Sequence, residues 1–263
     1  MSEVHFADLD WNGRSLRIEH RWITEARRDR PLVVFLHEGL GSVAMWRDFP
    51  DRFCEAADMR GLVYSRPGYG QSTPRPSDER WRPDYMHRQA NEVLPLLLKA
   101  MGVTEAVWLF GHSDGGSIAL IHAATFPTSV AGLVVAAPHI LVEESGLVSI
   151  RAAREAYVAA DLRDRLARYH ADVDSAFWGW NDVWLDPSFK AFDIRPLLPA
   201  IKCPVMAVQG LDDQYGTLEQ IHGVARALPQ AVLLELPGCG HSPHRDRPLV
   251  LLDAAKTFIA SRG

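Results

Sequence analysis

The stretch "VWLFGHSDGGSIAL", residues 107–120, constrains the fold more than any other part of this chain. An apolar run enters Gly-His-Ser-Asp-Gly-Gly and then resumes with the character of a buried helix. A plain loop needs neither this many glycines nor a hydroxyl wedged between them. A tight strand-to-helix turn needs both. The pattern Gly111-x-Ser113-x-Gly115 leaves room for the backbone to close on itself around a strained serine. It also presents the Ser113 hydroxyl at a helix N-terminus, where N–H groups and the dipole favour developing negative charge.

The rest of the chain repeats the alternation. Short apolar, β-rich runs occur at 31–37, 61–65, 106–111, 132–138, 203–210 and 231–238. Continuous apolar runs of this kind suit strands covered on both faces, hence a parallel sheet. Helical patterns lie between them. One spans 84–102 and closes on Gly102. One spans 217–228 and opens with Thr217 and Gln220 at capping-box spacing. A third follows Pro248 to the end of the chain. "VHFADLDW" and "SLRIEHRWI" flank Asn12-Gly13, a hairpin signal, because both turn residues tolerate positive φ. The expected fold is α/β: a doubly wound, mostly parallel sheet with a hairpin at its start. Between 139 and 201 no strand-like run appears, and some 60 residues far exceed an ordinary crossover. The expectation is a helical cap at 139–201 inserted into a core of 1–138 and 202–263. Three of the eight tryptophans, Trp178, Trp180 and Trp184, fall within seven positions of that segment.

Composition sets the outer bounds. At 263 residues, 47% hydrophobic and 23% charged, the chain can bury a sizeable core and is too apolar for disorder. A net charge of -5 with no basic run gives no electrostatic case for nucleic acid or an anionic membrane. Cys54, Cys203 and Cys239 are an odd number at wide spacing, which fits a reducing compartment better than a disulfide framework. "MSEVHFADLDWNG" has acidic residues where a signal peptide needs a basic start. The expected setting is cytoplasmic, with no membrane partner and an undetermined oligomeric state, monomer or homodimer.

A serine hydroxyl is a weak nucleophile and needs a base, which in turn needs an orienting carboxylate. Downstream, "AVQGLDDQYGT" carries Asp212 and Asp213 just past one strand. "ELPGCGHSPHRDRP" carries His241 in a Gly-rich loop past the next. Loops at one edge of a parallel sheet converge, so both can reach Ser113. Asp213 is preferred over Asp212 from its distance past Gly210. His244 is a rival to His241. Neither metal nor cofactor is expected, since His241-x-x-His244 lacks the helical spacing of a zinc protease. Oxyanion donors are expected at the N–H of Asp114 and, from the loop "HEGLGSVAMW" at 37–46, at the N–H of Gly39. Cys239, with no base assigned to it, is taken as a small packed residue.

"LHEGLGSVAMW", "SRPGYGQS", "GHSDGG", the 139–201 insertion, "VQGLDD" and "GCGHSPHRDRP" together resemble the α/β-hydrolase superfamily over nearly the whole chain. The resemblance implies a Ser113–His241–Asp213 triad, since the family's acid commonly follows a strand as Gly-x-x-Asp. Two positions depart from the pattern. Glu38 stands where relatives usually carry the glycine of His-Gly-x, and Ser65 where many carry Asp. Glu38 either points away from the oxyanion hole or serves the substrate or a second acid/base role, and Ser65 is taken as structural. Relatives with Ser-Asp-Gly-Gly elbows include enzymes that cleave small esters, amino-acid esters among them.

Phe177, Trp180 and Trp184 share one helical face, and Trp178 and Leu185 another. Besides cap packing, Trp178, Trp180 and Trp184 are candidate walls of a substrate pocket. Glu38 and Asp182 are candidate polar contacts, and Asp114 either is a solvated or helix N-terminal residue or meets a cationic or hydrogen-bonding substrate group. The activity expected is hydrolysis of a small to medium carboxylic ester or thioester through an acyl-enzyme. Carbon–carbon bond or lactone hydrolysis on the same triad is the alternative, followed by a non-catalytic ligand-binding homologue.

Overall fold

The computed structural model describes residues 3–262, so residues 1, 2 and 263 of the expected core lie outside the described residues. Among these, the chain opens with β1 (His5–Trp11) and β2 (Arg14–Ile23), joined through Asn12 and Gly13 at φ 55° and 76°. Positive φ at both central residues is what a two-residue hairpin requires. β1 alternates exposed and buried residues, as a half-covered edge strand should. Then follow β3 (Leu32–Leu36), α1 (Phe49–Ala57), β4 (Arg60–Tyr64), α2 (Tyr85–Arg88), α3 (Leu94–Ala100), β5 (Val107–His112), α4 (Asp114–Thr125) and β6 (Val130–Ala136). After the helical insertion come β7 (Val205–Gly210), α8 (Glu219–Ala227), β8 (Val232–Leu236), α9 (Pro243–Asp246) and α10 (Pro248–Ala260).

The eight strands form one sheet in the order β1-β2-β4-β3-β5-β6-β7-β8. β1–β2 and β2–β4 pair antiparallel, and every later pair is parallel. Every residue of β3, β4, β5 and β7 is buried, as continuous apolar runs in a doubly covered sheet must be. One face packs Phe35, Phe53, Phe110 and Phe258 with α1 and α10. The other packs Leu109, Leu133 and Ile118 with α3, α4 and α8. Because β3, β5, β6, β7 and β8 run parallel, their C-terminal ends share one edge, from which the loops after them emerge together.

The stretch between β6 and β7 is helical: α5 (Glu144–Ala159), α6 (Leu162–Leu166) and α7 (Val173–Leu185), with 3₁₀ turns at Pro187–Ala191 and Leu198–Ala200. Asp172 caps α7, accepting from the Ser175 N–H at 2.8 Å. Tyr157 of α5 stacks on Phe177 of α7 with centroids 3.6 Å apart.

Two expected helices come out differently. The helix over 84–102 is not uniform. It widens into a π turn at Gln89–Val93 before α3 resumes with Pro95 in its first turn. Pro95 has no N–H to give a regular ladder, and the widened turn lies just before it. The capping box at Thr217 and Gln220 does not form. The buried Gln220 side chain turns to the insertion instead. It accepts from the Ile140 N–H at 2.7 Å and donates to the Leu141 carbonyl at 3.1 Å and to Glu143 at 2.7 Å. A side chain that satisfies three buried or half-buried polar groups is worth more there than at a helix end.

Among the described residues, no helix is long and apolar enough to cross a membrane.

Candidate active site

Ser113 sits between β5 and α4 at φ 53°, ψ -120°, a sparsely populated conformation for a residue with a side chain. The surroundings hold it there. Its N–H donates to the Ala136 carbonyl at 2.9 Å, and its carbonyl accepts from Gly116 and Ser117. A Cβ on Gly111 would run into the Gly115 carbonyl, and one on Gly115 into the Leu36 carbonyl. The two outer glycines of the motif are therefore a packing requirement of the turn.

The loops after β7 and β8 meet this turn. His241 Nε2 lies 2.9 Å from Ser113 Oγ, and His241 Nδ1 lies 2.9 Å from both carboxylate oxygens of Asp213. Asp213 also accepts from the Tyr215 N–H at 2.8 Å and from Gln209 Nε2 at 2.7 Å. Burial alone would raise its carboxyl, but His241 and the Tyr215 N–H outweigh that and hold it below its ordinary value. Asp212 is exposed, with its N–H on the Cys239 carbonyl. His244 is buried against Trp46 and His112, at centroid distances of 4.9 and 4.7 Å. Neither of its ring nitrogens has a partner among the described residues. Burial, with His112 second, holds its imidazole well below the usual histidine range.

Ser113 and His241 line a cavity of about 110 Å³ together with Gly39, Asp114, Trp180 and Trp184. Trp180 leaves no room for a Cβ at Gly39, so the indole lies directly on that backbone. Of the residues expected to contact substrate, Glu38, Trp180 and Trp184 line this cavity. Trp178 and Asp182 do not. They lie in a separate depression with Arg75 and Asp174. There, Arg154 stacks on Trp178 at 5.2 Å and approaches Asp182 at 3.9 Å. Positions 178 and 182 are one helical turn apart, on the face of α7 turned away from Trp180 and Trp184.

Glu38 lines the cavity wall, but its carboxylate is engaged elsewhere: 3.5 Å from His112 Nδ1 and 3.7 Å from Arg245. Burial would raise this carboxyl, yet His112, Arg245 and His244 hold it well below the usual carboxylate range. Asp114 is fully buried. Its Oδ2 accepts from the Tyr85 hydroxyl at 2.6 Å and lies 3.8 Å from Arg66, while Oδ1 has no partner among the described residues. Burial pushes this carboxyl up, against Arg66 and Tyr85. Ser65 is buried in a polar knot, donating to Glu19 at 2.5 Å and accepting from the Val43 N–H at 2.9 Å.

Four residues at the site escaped sequence reasoning. His112 donates from Nε2 to the His241 carbonyl at 2.7 Å. Tyr85 joins Asp114 to Trp184, whose indole N–H donates to its hydroxyl at 3.0 Å. His139 and Tyr215 flank His241, with ring centroids at 5.6 and 4.7 Å. His139 carried the one available signal, its place just past a strand on the converging edge.

The chain also has measurable likenesses to known proteins. The alpha/beta hydrolase fold family model matches residues 31–183. Over 257 residues the chain is 25% identical to the sn-1-specific diacylglycerol lipase ABHD11 of Mus musculus, covering 88% of this chain and 81% of that one. Its structure resembles a thermophilic esterase from Thermogutta terrifontis, with a TM-score of 0.77 at 17% identity over 99% of each chain. It also resembles the enol-lactonase from Burkholderia xenovorans LB400, with a TM-score of 0.74 at 20% identity, covering 97% of this chain and 100% of that one. At those identities the two structures speak for the fold alone.

Proposed function

The chain belongs to the alpha/beta hydrolase fold family and is an enzyme of the hydrolase type, and on that premise we propose that it cleaves small to medium carboxylic esters or thioesters through an acyl-enzyme on Ser113. The supporting observation is the unbroken chain of contacts from Ser113 Oγ through His241 to Asp213, each link 2.9 Å. In this reading His241 Nε2 takes the proton as Ser113 Oγ attacks the carbonyl carbon, and Asp213 stabilises the imidazolium that results. His241 then gives the proton to the leaving alcohol or thiol. Water enters, loses a proton to His241, and releases the acid from Ser113. The backbone N–H groups of Gly39 and Asp114 are the proposed oxyanion donors. Both residues line the cavity at Ser113, and each such donor is worth about 3–4 kcal/mol in a comparable serine enzyme.

The helical insertion at 139–201 is the proposed cap. Its Trp180 and Trp184 supply apolar walls opposite the nucleophile, and the small cavity favours a compact acyl group. Glu38, Trp180 and Trp184 are the substrate contacts retained in this reading. For its setting we propose the cytoplasm, because Cys54, Cys203 and Cys239 are separate, buried, free thiols.

The test is turnover of a panel of p-nitrophenyl esters, thioesters, lactones and vinylogous diketones by the wild type and Ser113→Ala. An ester or thioester preference, lost in Ser113→Ala, agrees with the proposal. Highest kcat/KM on a lactone or diketone moves the reaction to ring opening or carbon–carbon cleavage on the same residues. Undiminished turnover in Ser113→Ala overturns it.

A further inference from the structure

Arg66, two residues past the end of β4, is fully buried and forms no part of the wall of the cavity at Ser113. A guanidinium taken wholly out of water is costly unless its surroundings compensate, so the groups it meets there carry information.

Its contacts converge on the two residues proposed above as oxyanion donors. Nη2 donates to the Glu38 carbonyl at 2.7 Å. That carbonyl and the Gly39 N–H belong to one trans peptide unit and point opposite ways. The Gly39 N–H itself makes no hydrogen bond among the described residues. Nη1 makes none either, and lies 3.8 Å from Oδ2 of Asp114, the first residue of α4. The Tyr85 hydroxyl donates to that same oxygen, and the Tyr69 ring lies 4.8 Å from the guanidinium carbon. The backbone N–H of Arg66 donates to His37 Nε2 at 3.0 Å, and Nδ1 of that ring donates to the Glu38 carbonyl at 2.7 Å. Burial, with Arg66 second, holds the His37 imidazole well below the usual histidine range. The ring is therefore neutral, and its single proton sits on Nδ1.

Satisfying the Glu38 carbonyl does not require Arg66. His37 Nδ1 and the Gly41 N–H, at 3.1 Å, already fill its two lone pairs. A third donor that carries charge adds direction and polarisation. It pins the peptide plane and draws electron density toward the carbonyl oxygen, which makes the N–H on the other side a stronger donor. We propose that Arg66 is a positioning residue for the oxyanion hole, fixing the Gly39 N–H through the Glu38 carbonyl and the start of α4 through the Asp114 carboxylate. The inference rests on the reading of Ser113 as nucleophile and of Gly39 and Asp114 as the donors.

The decisive variant is Arg66→Lys, which keeps a buried cation beside Asp114 but replaces the planar fork with a point charge that cannot span both groups. Arg66→Met removes the charge as well. Both are assayed on the best ester of the panel, with active sites counted by exhaustive fluorophosphonate labelling. kcat per labelled site is expected to fall about tenfold in Arg66→Lys and about a hundredfold in Arg66→Met, with KM within about twofold of wild type. Affinity for a trifluoromethyl ketone, which forms a tetrahedral oxyanion on Ser113, should fall by a similar factor, because the donors serve the oxyanion more than the ground-state ester. A merely structural role would lower the melting temperature and the number of labelled sites, and leave kcat per site and ketone affinity at wild-type values. That result in Arg66→Lys overturns the inference. Should Arg66→Met fail to fold, Arg66→Lys decides alone. Wild-type protein that neither turns over the ester nor takes the label refutes the Ser113 reading and this inference with it, an outcome distinct from an active wild type beside an equally active Arg66→Lys.

Discussion

The imidazole of His112 donates from Nε2 to the backbone carbonyl of His241 across 2.7 Å, so the residue before the nucleophile holds the loop that carries the proposed base. Removing one such half-buried bond costs about 1 kcal/mol or more. His112→Ala is therefore expected to lower kcat by about tenfold or more, with a smaller change in KM, since it shifts the base and leaves the Trp180 and Trp184 walls in place. A His112→Gln variant, whose amide can still donate, should recover part of that loss. Steady-state kinetics on the best ester of the panel checks both variants.

Asp213→Asn should be far more damaging than Asp212→Ala. The Asp213 carboxylate accepts from His241 Nδ1, and an amide there favours the wrong imidazole tautomer. Loss of about 10⁴ in kcat is expected from this change in a comparable triad. Asp212, exposed and held in the loop through its backbone N–H, should tolerate alanine with less than about a twofold change.

The elbow glycine is expected to be a stability determinant. Gly115→Ala would drive a methyl into the Leu36 carbonyl, and neither backbone can move without disturbing the buried sheet. A cost of about 1–3 kcal/mol is expected for such overpacking, measurable as a lower urea midpoint at unchanged slope.

Acid should destabilise the protein in two stages. Burial, with His241 second, depresses His139 to about 3. The unfolded chain binds a proton there below about 6.5 while the folded chain does not, so stability falls as pH drops from about 6.5 toward 3. The depressed carboxyls of Asp213 and Glu38 add stability present above their unfolded values near 4 and lost as pH falls through the folded ones. The melting temperature should decline from pH 7 to pH 5, with the depressed imidazoles of His37 and His244 adding to that decline, and His139→Gln should lessen it. An unchanged slope in the variant would remove His139 from this account.

Much of the frame is legible in the residues themselves. The Asn12-Gly13 hairpin, the parallel order implied by continuous apolar strands and the elbow at Ser113 each depend on neighbours close in sequence. What local pattern cannot carry is which distant side chain completes a buried polar group. Tyr85 reaches Asp114 across 29 positions, and Trp184 reaches Tyr85 across 99. Gln220 looked like half of a capping box because its spacing fits, yet its partners are residues 140, 141 and 143. Trp178 and Trp180 are two positions apart on one aromatic helix. Which of them faces the cavity is decided by the rotation of α7 on the sheet, and no count of tryptophans contains that angle.

The central claim is that Ser113 is a nucleophile activated by His241. The most direct measurement is intact-protein and peptide mass spectrometry after brief exposure to a fluorophosphonate. One adduct per chain on the peptide containing Ser113 is predicted, absent in Ser113→Ala and slowed at least about a hundredfold in His241→Ala. Folded wild-type protein that gains no adduct, or gains it on another residue, would contradict the account.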